Sequence, residues 1–190
     1  MTGFDFEWPQ FLWMVFIFVG VPTIIAAAII RAAYTFERPR ALEAGVSTEN
    51  TGLGLWATGL VAFLLGFLSC AGWLSWSAGS MGRVLSPNLP APDKFPSWQI
   101  YACGATVVLA CFAVAHFSRW VNAGGLAAAA GMTAGFTTAF GVQASTDSTG
   151  QSGVGMILSE IGWGVGLGAL MLIRGALVTK YRRGRAVESM

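Results

Sequence analysis

AGGLAAAAGMTAGFTTAFGVQ, residues 123–143, decides the fold of this chain. The stretch is uncharged and long enough to cross a hydrocarbon layer of about 30 Å as a helix. Its alanine, glycine and threonine residues contribute little transfer free energy, so its apolar character is weak. If this segment spans a membrane, the chain has five spans. If it does not, the chain has four spans and one re-entrant or peripheral segment.

Four stronger hydrophobic runs flank this segment, at residues 10–33, 53–76, 99–118 and 153–178. The chain is 55% hydrophobic and 11% charged, whereas a soluble domain has roughly 25% charged residues. Its mean hydropathy is +0.63. We therefore predict an all-α polytopic membrane helix bundle, with residues 1–190 forming a single transmembrane domain. The N-terminus lacks a basic region and an obvious cleavage site, so we expect the first run to be retained.

The positive charges test the number of spans. With five spans and the N-terminus outside, the inner segments hold nine of the eleven Lys and Arg residues. The outer segments hold only Arg83 and Lys94. Without the fourth span the basic C-terminal tail would lie outside, which weakens this positive-inside bias. The charge pattern thus favours five spans, with the N-terminus out and the C-terminus in.

Small residues recur at helical spacing in three of the predicted spans. In membranes such residues let helix backbones approach closely, because the hydrophobic effect gives little drive for helix association in lipid. The predicted packing residues are Gly155, Ser159, Gly162 and Gly166 in span five, Gly131 and Gly135 in span four, and Gly59 and Gly66 in span two. The short connection between spans four and five makes those two spans expected partners. A second small face on span five, around Gly164 and Gly168, leaves two interpretations open. Either both faces pack within the bundle, or one of them contacts an external helix.

Two polar residues are candidates for an intramembrane site, Glu160 and His116. Glu160 lies roughly 7 Å from the midpoint of span five, and a carboxylate at that depth is a functional hypothesis by default. It could hold a proton, pair with a basic residue of another subunit, or lie at a wetted outer interface beside a Ser or Thr. His116 lies near the inner end of span three. A hydrogen-bonded interfacial histidine is favoured there over a metal ligand, because membrane haems usually take two histidines and this chain has one.

Prolines and cysteines raise three smaller expectations. Pro22 should bend span one, because proline removes a helical hydrogen bond. Pro87, Pro90, Pro92 and Pro96 favour extended backbone in the outer loop, which is either a plain connector or a strap on an extramembrane partner. Cys70 and Cys103 are expected at similar depth; a disulfide is conceivable, but buried free thiols are more common.

The sequence lacks the motifs of catalysis and of dedicated cofactor binding. It contains no HExxH, no GxSxG with a possible triad, no P-loop and no His/Glu cluster. The spacing in GWGVGLG lies inside a hydrophobic span rather than at a strand-to-helix turn, so a dinucleotide site is not indicated. A net charge of +2 without a basic-aromatic surface does not suggest nucleic acid. We expect no enzyme activity and no metal or cofactor site, but we do expect structural lipids.

These features favour a non-catalytic accessory or structural subunit of a multi-subunit membrane complex. Its partners would be other integral membrane subunits and lipids, and a respiratory or photosynthetic electron-transfer complex is the expected host. The alternative is a small homo-oligomeric channel, holin or transporter, in which Glu160, Thr133, Thr137 and Thr138 line a polar path. The composition and charge pattern fit a bacterial plasma membrane, with an organellar inner membrane as the alternative.

Overall fold

The computed structural model describes residues 7–43, 52–78, 95–145 and 151–188, and the regular structure in these parts is helical. Helix α1 comprises Trp8–Val15, a π-helical turn Phe16–Gly20, and Val21–Glu43. The other helices are α2 (Leu55–Leu74), α3 (Ser97–Phe117), α4 (Asn122–Ala144) and α5 (Gln151–Glu188). Most of the proline-rich loop and the connection between α4 and α5 lie outside the described residues.

All five helices are long and apolar enough to cross a membrane, which indicates a membrane protein. Over the residues that the structure describes, the prediction of an all-helical fold with five such helices is confirmed. The helix boundaries differ from those expected. The first candidate span covers Trp8–Pro39 and the last covers Gly153–Tyr181, so both extend beyond the predicted apolar runs. Polar residues continue these helices because nothing in the sequence stops them where the apolar run ends.

Helix α4, the least apolar of the five, is the centre of the bundle. It contacts all four other helices, and 61% of its most apolar stretch is buried, against 6% for α1 and 22–28% for the others. Its small side chains explain this position, because they let several neighbours approach one helix at once. The segment is therefore central in the structure and not peripheral.

The closest contact in the bundle joins α2 and α4, which run parallel. A Cβ atom at Gly66 would overlap the carbonyl oxygen of Met132 on α4. On α4, a Cβ atom at Gly131 would overlap the carbonyl oxygen of Gly59 on α2. A Cβ atom at Gly135 would overlap the carbonyl oxygen of Phe63 on α2. Glycines of each helix thus lie directly against the backbone of the other, where no larger side chain fits.

A π-helical turn in α1 accommodates Pro22. The ring of a helical proline clashes with the carbonyl four residues earlier and provides no N–H to bond it. In α1 the N–H of Val21, just before the proline, donates to the carbonyl of Phe16, five residues back. The wider turn shifts the backbone immediately ahead of the proline. Such single π-turns are a recognised cause of irregularity in long helices.

The two ends of the bundle are named here after a residue that lies at each. The Arg119 end holds the C-termini of α1, α3 and α5 and the N-termini of α2 and α4. Here the Glu37 carboxylate accepts hydrogen bonds from the backbone N–H groups of Val121 (2.8 Å), Asn122 (3.2 Å) and Ala123 (3.0 Å). These groups open α4 and have no partner within their own helix. A side chain of α1 thus caps the N-terminus of the central helix.

At the Gln99 end a fully buried amide completes the C-terminus of α2. The Gln99 Nε2 group donates to the carbonyl oxygens of Trp73 (2.5 Å) and Trp76 (2.7 Å), and Oε1 accepts from the N–H of Ala78 (3.1 Å). The last carbonyls of a helix have no partner within it. One side chain of α3 therefore satisfies three backbone groups at the end of α2.

Replacement of Gln99 by leucine should destabilise the bundle by about 2–3 kcal/mol, because it leaves buried backbone groups without partners. The measurement is the free energy of unfolding of the purified chain in mixed micelles. Tyr101→Leu, an exposed position on the same helix, is the matched control and should change little. Equal losses for the two variants would contradict the capping role of Gln99.

Candidate functional site

A polar cluster lies inside the contact between α4 and α5. Its central residue is Glu160, seven residues after the start of the candidate span at Gly153, which is about 10 Å along the helix axis. The side chain is 9% exposed, and its Oε2 atom has no hydrogen-bond partner among the described residues. A buried carboxyl oxygen without a partner is rare enough in native proteins to require an explanation.

Two threonines of α4 complete this cluster. Thr133 and Thr137 are four residues apart, so they occupy the same face of α4. Thr133 is 2% exposed and Thr137 fully buried. The methyl group of Thr133 lies 3.8 Å from the Cβ position of Gly164, one turn of α5 beyond Glu160. The Thr137 hydroxyl lies beside the Glu160 carboxyl, although not at hydrogen-bond geometry.

The hydroxyl groups of Thr133 and Thr137 differ from those of the other buried or half-buried helical threonines. Those of Thr58, Thr106, Thr138 and Thr179 each donate to the carbonyl oxygen four residues earlier, at 2.7–2.9 Å. This is the usual way in which a threonine satisfies its hydroxyl within a helix. The hydroxyl oxygens of Thr133 and Thr137 have no such partner in the described part of the chain. Two buried hydroxyl groups at the α4–α5 contact, that of Thr137 beside Glu160 and that of Thr133 about one turn away, thus have no partner within the described ranges.

Ser159, the residue next to Glu160, has a buried hydroxyl oxygen that also has no hydrogen-bond partner in the described ranges. Thr138, by contrast, is bonded to its own helix. Of the three threonines expected to line a polar path with Glu160, Thr137 lies beside the carboxyl and Thr133 contacts α5 one turn beyond it, whereas Thr138 bonds its own helix.

His116 lies far from this cluster. It is exposed near the C-terminus of α3, at the Arg119 end, with its ring 5.5 Å from that of Phe117 in an edge-on arrangement. Arg174 lies at the same end and donates from Nη2 to the carbonyl oxygen of Ala115 at 3.2 Å. Because Glu160 precedes Arg174 by fourteen residues, about 21 Å of helix separates them. Since His116 lies at the same end as Arg174, Glu160 and His116 do not form one site.

All three cysteines are buried free thiols. The Cys103 thiol lies 3.9 Å from the carbonyl oxygen of Ser69. These side chains belong to the apolar core with the other small residues of α2 and α3. No group of three or more His, Cys, Asp or Glu residues is placed to hold a metal ion within residues 7–43, 52–78, 95–145 and 151–188.

The small residues of α5 differ in their surroundings. A Cβ at Gly155 would lie 3.1 Å from the ring of Phe140 on α4. At Gly162 and Gly166 no atom lies within 4 Å of the Cβ position, and both residues are exposed. Gly59, Gly66, Gly131 and Gly135 all lie along the contact between α2 and α4. The expected pairing of α4 with α5 is present, but the closest glycine-to-backbone contacts of α4 are made with α2.

The side chains that cap helix ends across the bundle were not anticipated from the sequence. Glu37 and Gln99 resemble ordinary polar residues near the ends of apolar runs, and their role depends on which helix end lies beside them. Their one sequence signal is weak: Val121, which precedes the first residue of α4, and Ser75, which follows the last residue of α2, are not preferred capping residues at those positions. Comparisons with protein-family models, curated proteins and solved structures found no match.

Proposed function

We propose that this chain is a non-catalytic accessory subunit of a multi-subunit membrane complex, and that it binds a transmembrane helix of another subunit along the exposed face of α5. The observation that carries this proposal is the open space at Gly162 and Gly166, where no atom of the described chain lies within 4 Å of the Cβ position. Ala169 continues the same face and is also exposed.

The use of glycine elsewhere in the bundle supports this interpretation. On α2 and α4 the glycines permit direct contact between two backbones. The stripe on α5 has a similar spacing but faces outward. Glycine in a helix costs up to about 1 kcal/mol relative to alanine. A face that met only lipid would gain nothing from it, whereas a face that met another helix would gain close packing.

The shape of this face suits a helix rather than a bulky partner. Large apolar side chains stand beside the glycine stripe and are exposed: Leu158, Ile161, Val165, Leu170 and Ile173. Between them the glycines leave a shallow groove along α5. The occupant that fits is a single apolar helix with small residues of its own, from a different polypeptide. An electron-transfer complex of the respiratory or photosynthetic type is the host that we propose.

The experiment compares the double variant Gly162→Leu/Gly166→Leu with the wild type in the native membrane. Leucine side chains would fill the groove, so we expect loss of co-migration with the host complex in blue-native separation after mild detergent extraction. The purified variant should keep the helicity and unfolding midpoint of the wild type. Gly72→Leu is the matched control, because Gly72 is also exposed with no atom within 4 Å.

Two results would count against this proposal. Retention of the variant in a complex of unchanged composition would remove the α5 face from the interface. A wild-type band that contained only copies of this chain would replace the accessory-subunit proposal with the homo-oligomeric channel or transporter.

A further inference from the structure

We propose that Glu160, Thr133 and Thr137 form a binding site for one monovalent cation, sodium, between α4 and α5. The site is separate from the exposed face of α5 and does not depend on its partner. Glu160 lies on the side of α5 that faces α4, whereas Gly162 and Gly166 face outward. Four observations support the proposal. Glu160 is a buried carboxyl group, and no described helix around it supplies a basic residue at its depth. Nearby hydroxyl groups have no partner, and all the potential ligands are oxygen atoms.

The first point is the charge of Glu160. A carboxyl group buried among apolar helices either holds a proton or needs a positive charge beside it. Helices α2, α3 and α4 contain no Asp, Glu, Lys or Arg. Helix α1 contains none between Trp8 and Ile30. The nearest basic residue of α5 is Arg174, which binds Ala115 at the Arg119 end.

No described helix that packs around Glu160 therefore supplies a positive side chain at its depth. One carboxylate is balanced by one positive charge, which favours a monovalent ion. Divalent ions are normally held by more carboxylates or by substrate phosphates. Small hard cations prefer oxygen ligands, and the cluster offers only oxygen atoms.

The threonine hydroxyls supply the ligands beyond the carboxylate. Among the described residues, Thr133 and Thr137 are the buried threonines that do not bond the carbonyl four residues back, whereas Thr138 in the same helix does. An unbonded hydroxyl in an apolar interior costs about 1–3 kcal/mol. A cation beside Glu160 would use the lone pairs of hydroxyl oxygens at this contact. The neighbouring Ser159 hydroxyl is a further oxygen at the same level.

The test is equilibrium dialysis of the purified full-length chain in detergent against radioactive sodium, with choline chloride holding the ionic strength constant. We expect saturable binding of one sodium ion per chain and none in Glu160→Gln. Thr137→Val should weaken binding about tenfold or more, because loss of even an outer-shell partner of a metal ligand typically costs that much. Thr138→Val is the matched control, and it should bind sodium as the wild type does.

A second measurement uses only the wild-type chain, so it does not depend on the folding of the variants. A hydrophobic carbodiimide labels protonated carboxyl groups in apolar surroundings, and the modified residue is identified by mass spectrometry. Sodium should protect Glu160 from labelling, while choline should not. Labelling that sodium leaves unchanged would overturn the proposal in favour of a site that holds only a proton. Absence of saturable sodium binding, or equal weakening by Thr137→Val and Thr138→Val, would also overturn it.

Discussion

Replacement of Gly135 by alanine is expected to destabilise the bundle more than any other single-methyl change in this chain. The added Cβ would overlap the carbonyl oxygen of Phe63, and it would lie 2.8 Å from the Phe63 carbonyl carbon and 2.9 Å from the Phe67 nitrogen. These are backbone atoms, so no side-chain rotation relieves the clash and α2 and α4 must separate. Overpacking of this kind costs about 1–3 kcal/mol.

The measurement is the free energy of unfolding of the purified chain in mixed micelles, followed by circular dichroism. Gly162→Ala is the matched control, because it adds the same methyl group where no atom lies within 4 Å. That variant should be unchanged or more stable by up to about 1 kcal/mol, since alanine is the better helix former. If Gly135→Ala were as stable as Gly162→Ala, the close α2–α4 contact would be disproved.

The second large effect is expected at Glu37, whose carboxylate accepts from three backbone N–H groups at the start of α4. Glu37→Ala should lower the free energy of unfolding by about 2–3 kcal/mol, because it removes charge-assisted hydrogen bonds and an anion at a helix N-terminus. Glu37→Gln keeps one acceptor oxygen but loses the charge, so it should have an intermediate effect. Unfolding in mixed micelles measures both variants.

Arg38→Ala is the control for Glu37, because Arg38 is the next residue and is exposed. It should leave the stability nearly unchanged. Increasing salt should also weaken the wild type only slightly, since Glu37 is half-buried and its bonds are direct. An effect of Arg38→Ala equal to that of Glu37→Ala would point to a general loss of charge rather than to capping.

The number and character of the helices followed from the sequence, and so did the pairing of α4 with α5, but the closer pairing of α4 with α2 did not. The positive charges favoured five spans even though residues 123–143 are weakly apolar. The small-residue stripes were also visible at Gly59, Gly66, Gly131 and Gly135. Three stripes with the same spacing, however, allow several pairings. Chain proximity indicated α5 as a partner of α4, and the two helices do pack together, but it did not indicate that the closest contact joins α4 to α2.

For the polar cluster, the sequence predicted the central carboxyl group but not which threonines lie near it. Thr137 and Thr138 are adjacent and chemically identical, yet successive residues in a helix are rotated by about 100°. One hydroxyl therefore lies beside Glu160 and the other bonds Ala134 in its own helix. The sequence identifies Glu160 as an unusual residue for its depth. Which threonines accompany it depends on the rotation of α4 against α5, which only the packed bundle determines.

The central position of the least apolar helix has a consequence for biosynthesis. If the five helices enter a membrane in chain order, α4 leaves the ribosome after α1, α2 and α3. Its alanines, glycines and threonines give it little affinity for lipid on its own. Its stable retention in the membrane would then depend on contact with the α2 backbone around Gly59 and Phe63 and on the Glu37 carboxylate, both of which are synthesised earlier. The first three helices would thus act as an intramolecular receptor for the fourth.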